Sequence, residues 1–92
     1  MSGSLGLIGD LCVEADWIWR RMHQVQVALR DCRHPGLGLR LRAEARLHGS
    51  RCKQIQASLK QGSVLSSDKL QLRLLNELLD RSLQQSLLVQ KS

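Results

Sequence analysis

Two cysteine–histidine pairs come closest to a metal chemistry in this chain: Cys32-x-His34 and His48-x-x-x-Cys52. Thiolate and imidazole are the ligands that zinc selects, and the second pair sits one helical turn apart. Neither pair has the tight C-x-x-C spacing of structural zinc sites, and several helical turns separate the two. On an apolar helical seam a cysteine is also simply a small hydrophobe. The expectation is packing rather than ligation, with no metal and no other cofactor.

Catalytic chemistry finds even less support. The serines are plentiful, but none sits in a strand–turn–helix elbow. There is no glycine-rich phosphate loop, because Gly36-Leu37-Gly38 reads as a turn. The carboxylates are scattered among Leu, Gln and Arg, where solvation or ion pairing is their ordinary state. The chain is expected not to be an enzyme and to have no small-molecule substrate.

The cations are a stronger candidate. The formal net charge is +6, and residues 30–60 hold eight basic and two acidic side chains. On a helix over this segment Arg42, Arg46, Lys53 and Lys60 fall in a narrow arc, with Arg40 and Arg51 on the other side of the seam. Aligned cations track phosphates without reading sequence. They also select acidic partners for a neighbouring apolar seam. Glu14, Asp16, Glu77 and Asp80 are available to answer some of these cations internally. Trp17 and Trp19 are the only aromatic residues apart from histidine, so stacking on bases has little to work with.

The elements that position these groups are helices. From Ile8 to Cys32 the apolar residues Ile8, Leu11, Ala15, Ile18, Met22, Val25, Leu29 and Cys32 recur at steps of three and four. That rhythm lays one stripe of a helix against a neighbour. The chain has no Phe, Tyr or Thr and is rich in Leu, which favours helix over sheet. His34-Pro35-Gly36 ends the first helix, since the residue before proline leaves the α region. In the next segment Leu37, Leu39, Leu41, Ala43, Ala45 and Leu47 alternate like a strand, but the residue types are strong helix formers. A helical seam exists there as well: Leu41, Ala45, His48, Cys52, Ile55 and Leu59. Gly49-Ser50 in its middle is a weak point at which such a helix can kink.

Gln61-Gly62-Ser63 reads as a C-cap and turn, and Ser66-Ser67-Asp68 as the N-cap of a last helix. That helix carries Leu72, Leu75, Leu79 and Leu83 on one side and Leu70, Leu74 and Leu78 on another. The arc they cover is wider than a monomer's surface helix needs. Leu70, Leu74 and Leu78, with Trp17 on the back of the first helix, are therefore the candidate protein-interaction residues. The three segments do not read as repeats of one another.

The fold expected is all-α: a single domain over residues 1–92, with helices at about 7–31, 39–61 and 67–89. The first two form an antiparallel hairpin, and the third completes a bundle or pairs across an oligomer, with coiled-coil-like packing. No stretch is long enough for a membrane span or shaped as a secretory signal, and three widely spaced cysteines do not suggest a disulfide framework. A cytoplasmic setting is expected, with no membrane partner. The function expected is a non-catalytic protein–protein interaction module, a small helical adaptor, chaperone or assembly factor working through Leu-rich faces. The protein partner or a second copy would supply the other half. The alternative is nucleic-acid binding through the basic second helix.

Overall fold

A computed structural model describes residues 8–62 and 69–91 of the chain. Three helices, α1 (Ile8–Arg30), α2 (Pro35–Lys60) and α3 (Lys69–Lys91), pack into an elongated bundle of 47 × 26 × 17 Å. The expected start of α1 at residue 7, together with Ser63 and the Ser66-Ser67-Asp68 cap, lies outside the described residues.

The seam read in α1 is the buried one: Leu11, Ala15, Ile18, Met22 and Val25 are all buried, with Ile8 and Leu29 packed against them. α2 begins earlier than the expected residue 39. Pro35 occupies its first turn, where the missing N–H costs nothing. His34 caps it in extended backbone, and its Nδ1 accepts from the Leu37 N–H at 3.3 Å. Gly36 and Gly38 are thus first-turn residues of a helix rather than a loop, and Gly38 is buried. At its other end α2 stops at Gln61, and Gly62 follows in the left-handed region at φ 73°, where glycine carries no Cβ penalty.

Ion pairs fix the hairpin. Arg51 grips Glu14 with both fork nitrogens (2.5 and 2.9 Å), and Arg21 grips Glu44 in the same way (2.5 and 2.8 Å). Residue numbers rise along α1 as their partners' fall along α2, so the helices are antiparallel. α3 runs back against α2: the Ser86 hydroxyl donates to the Ala45 carbonyl at 2.6 Å, and Gln56 donates to Asp80 at 2.6 Å. It also reaches α1 through a Gln85–Gln26 side-chain hydrogen bond. The topology is up–down–up, and α3 packs against both other helices more extensively than they pack against each other.

Two features of the inner face of α3 decide how close it comes. Its buried positions are Leu75, Leu79, Ser82, Ser86 and Val89, so the C-terminal half presents small hydroxyls where leucine is otherwise the rule. Opposite them lies Gly49, fully inside α2. A Cβ on Gly49 would sit 2.6 Å from the Ser86 Oγ. Glycine there permits a close helix–helix approach, and α2 continues as one helix through a position at which the sequence suggested a bend.

Although the three segments do not read as repeats in their apolar pattern, α1 and α2 are related to one another. A shift of thirty residues carries Leu11 onto Leu41, Glu14 onto Glu44, Ala15 onto Ala45, Arg21 onto Arg51 and Leu29 onto Leu59. The same shift exchanges the two interhelical ion pairs with one another. The hairpin is thus approximately two-fold symmetric, and α3 lies across it.

Candidate interaction surface

Leu75 and Leu79 complete the core with Leu11, Ile18, Met22 and Val25 of α1 and Leu41, Cys52 and Ile55 of α2. What remains on α3 is a second stripe. Leu70, Leu74, Glu77, Arg81, Gln84 and Leu88 follow one another at steps of four and three, and all six are exposed. Leu70 is 62% exposed, Leu74 55% and Leu88 56%, which is far outside the core for residues of this type. Leu78 does not belong with them. It is half-buried and packs against the core, because its direction from the α3 axis leans toward α1.

Trp17 is 56% exposed. It lies where the outer side of α1 meets the open edge of the hairpin. Its ring meets the His48 imidazole edge-on, with centroids 5.3 Å apart. His48 in turn lies 3.0 Å from the Glu44 carboxylate, which Arg21 already holds. Trp17 is therefore partly covered by a polar network of its own hairpin and stays more than half exposed. The Arg21 fork, and after it His48, hold the Glu44 carboxyl down at about 2. Glu14 is lowered from its ordinary value by the hydrogen-bonded Arg51.

These pairs also thin out the cations. Arg21 and Arg51 are consumed across the hairpin, and Asp16 pairs with Arg20 within α1 at 3.0 Å. Of the four residues read as a basic stripe, Arg46, Lys53 and Lys60 are exposed, and none of them has an ion-pair partner among the described residues. Arg42 is half-buried and lines a recess of about 410 Å³ at the hairpin end with Leu29, Cys32 and His34. The stripe borders the side of α2 on which Gln56 meets α3, so Arg73 of α3 lies along the same edge.

The two cysteine–histidine pairs are not brought together. The Cys32 thiol donates to the His34 carbonyl, and His34 spends its ring nitrogen on the α2 cap. His48 is engaged with Glu44 and Trp17. Cys52 lies wholly in the core, where burial pushes its thiol up to about 11. Among the described residues no three His, Cys, Asp or Glu side chains converge in a metal-binding arrangement. No described helix is long and apolar enough to cross a membrane.

Comparison with protein-family models, with curated proteins and with solved structures finds no match to this chain.

Glu14 answers a cation as expected, in Arg51, whereas the Arg21–Glu44 pair and the Ser86–Gly49 contact are not among the expectations from the sequence. A signal for the first existed: Glu-Ala followed by Arg seven positions after the Glu, present in both α1 and α2. No hydropathy signal marks the second, because glycine and serine look like surface or turn residues in any apolar count.

Proposed function

We propose that this protein is a non-catalytic helical interaction module that docks a protein partner through the outer stripe of α3. The observation that carries the reading is the exposure of Leu70, Leu74 and Leu88 at helical spacing on a helix whose inner face already completes the core. Covering large aliphatic side chains is the dominant favourable term in association. Each leucine withdrawn fully from water contributes roughly 1.5–3 kcal/mol. Glu77 and Arg81, between the leucines, supply the charge that sets partner and register.

The test is a photo-crosslinking residue placed at Leu74, with the same residue at Gln54, an exposed polar residue of α2, as control. Under this reading the Leu74 position forms protein adducts heavier than one chain, and the Gln54 position does not. Equal labelling at both positions, or none at Leu74, refutes it.

A second reading rests on Arg46, Lys53 and Lys60, which stay exposed and unpaired among the described residues while other arginines are consumed internally. A phosphate backbone along this edge would bind with strong salt dependence and without sequence preference. Replacing the three by glutamate abolishes retention of duplex DNA or RNA in a mobility shift if the reading holds. It leaves the Leu74 adducts intact if docking is the protein's role.

A further inference from the structure

The outer stripe of α3 has an internal symmetry. Counted outward from its midpoint near Leu79, Leu70 corresponds to Leu88, Leu74 to Gln84, and Glu77 to Arg81. A two-fold axis through that midpoint, perpendicular to the helix, therefore sets each residue of one α3 opposite its counterpart in another. Such an interface is isologous, with residue i touching j and j touching i.

We infer that the occupant of this face is a second copy of the chain, paired α3 against α3 in antiparallel orientation. This rests on the docking reading above and names its partner. In that register Leu70 covers Leu88 of the other copy at each end. Glu77 faces Arg81 twice in the middle. The steps of four and three along Leu70, Leu74, Glu77, Arg81, Gln84 and Leu88 are those of a helix seam that stays in contact over its whole length. Neither Glu77 nor Arg81 has an ion-pair partner among the described residues.

The charges choose the orientation. Parallel, in-register pairing sets Glu77 against Glu77 and Arg81 against Arg81, and like charges in contact reject a partner. The outer stripe of α1 provides a contrast. Val13, Trp17, Arg20, Gln24 and Val27 have the same spacing, and Val13, Trp17 and Val27 are exposed too. Antiparallel self-pairing there sets Arg20 opposite its own copy. Of these two stripes, only that of α3 is complementary to itself.

Three half-exposed leucines per copy fall short of a standard interface, which buries about 1,600 Å² in total. The dimer is accordingly reversible and concentration-dependent. Its charge pairs fix register more than they add affinity.

Sedimentation velocity from low micromolar to near-millimolar chain, at low salt, tests the pairing. The wild type is expected to shift from one chain to two. E77R and R81E each remain single chains, an equimolar mixture of the two recovers the double mass, and the E77R/R81E double variant dimerises with itself. All of these substitutions are at exposed positions, and unchanged far-UV circular dichroism verifies the fold. A wild type that stays a single chain throughout overturns the inference. If the Leu74 crosslinker then captures a different protein, docking through α3 survives and only self-pairing is lost. Wild-type-like dimers for both single variants overturn the antiparallel register. If those dimers also survive Leu70→Lys with Leu74→Lys, the association lies elsewhere and the docking reading falls with it.

Discussion

Replacing Gly49 by alanine sets two effects of opposite sign against each other. In an exposed helix interior the change stabilises by up to about 1 kcal/mol, because glycine is the poorer helix former. Here the new Cβ lies 2.6 Å from the Ser86 Oγ, 3.3 Å from its Cβ and 3.5 Å from Leu83 Cδ1. Ser86 is fully buried, and its hydroxyl donates to the Ala45 carbonyl while accepting from Gln90 at 3.0 Å. Rotating it away leaves a buried hydroxyl without its partner, at about 1–3 kcal/mol. Moving the helices apart instead incurs an overpacking cost of similar size. Net destabilisation of about 1–2 kcal/mol follows, a fall in Tm on the order of 4–15 °C for a domain of this size. Ser86→Ala removes the clashing oxygen, and the Ala45 carbonyl keeps its place in the helix ladder. In that background the cost of Gly49→Ala falls by about 1 kcal/mol or more, a coupling typical of residues in direct contact. Urea unfolding followed by circular dichroism measures all four corners of the cycle. If Gly49→Ala alone raises stability by about 1 kcal/mol, α2 and α3 are not in close contact there and the packing described is wrong.

Other consequences are checked more simply. Among the described residues the buried Ser82 hydroxyl has no hydrogen-bond partner, so Ser82→Ala is expected to be neutral or stabilising by up to about 1 kcal/mol. A loss of more than that in urea unfolding would expose a partner for the hydroxyl. Glu44 is depressed from an ordinary 4.5 to about 2 by Arg21 and His48. Its contribution is present above pH 4.5 and is lost as pH falls toward 2. Because the pair is partly exposed, the contribution is about 1 kcal/mol or less. Acid titration of unfolding free energy shows it as a slope that Glu44→Gln flattens, and an unchanged slope in that variant contradicts the pairing. Cys52 is wholly buried with its thiol raised to about 11. Alkylation under native conditions is expected to modify half-buried Cys32 well before Cys52. Equal rates by peptide mapping would place Cys52 outside the core.

The parts of this fold that were legible in the sequence are those where one periodicity acts alone. The α1 seam is apolar at every step of three and four, and Leu11, Ala15, Ile18, Met22 and Val25 are its buried residues. α2 was readable as a helix from residue type, but its start was not. Gly36 and Gly38 mimic a turn, and only the His34 cap and Pro35 together make them helical. His48 was expected on the seam, yet Gly49 takes the buried position beside it, because proximity to Ser86 leaves no room for a side chain. Of the leucines read on one side of α3, Leu75 and Leu79 are buried, while Leu72 and Leu83 are half-buried, Leu83 packing against the core. The buried line instead runs from Leu79 through Ser82 and Ser86 to Val89, where close packing substitutes for bulk. Of the candidate interaction residues, Leu70 and Leu74 stand exposed, whereas Leu78 is drawn into the core flank. Hydropathy alone does not separate them, since all three are leucines and only the direction of α1 distinguishes their faces.

The central claim is that the outer leucines of α3 serve docking and not the fold. The most direct measurement is the thermal stability and sedimentation of the Leu70→Lys/Leu74→Lys double variant, beside Leu75→Lys as the core counterpart. The account predicts that, at dilutions where the wild type is a single chain, the double variant melts within a few degrees of it. It also predicts that the variant fails to associate when concentrated, and that Leu75→Lys unfolds the bundle. A double variant that unfolds like Leu75→Lys would make the outer stripe part of the core and contradict the claim.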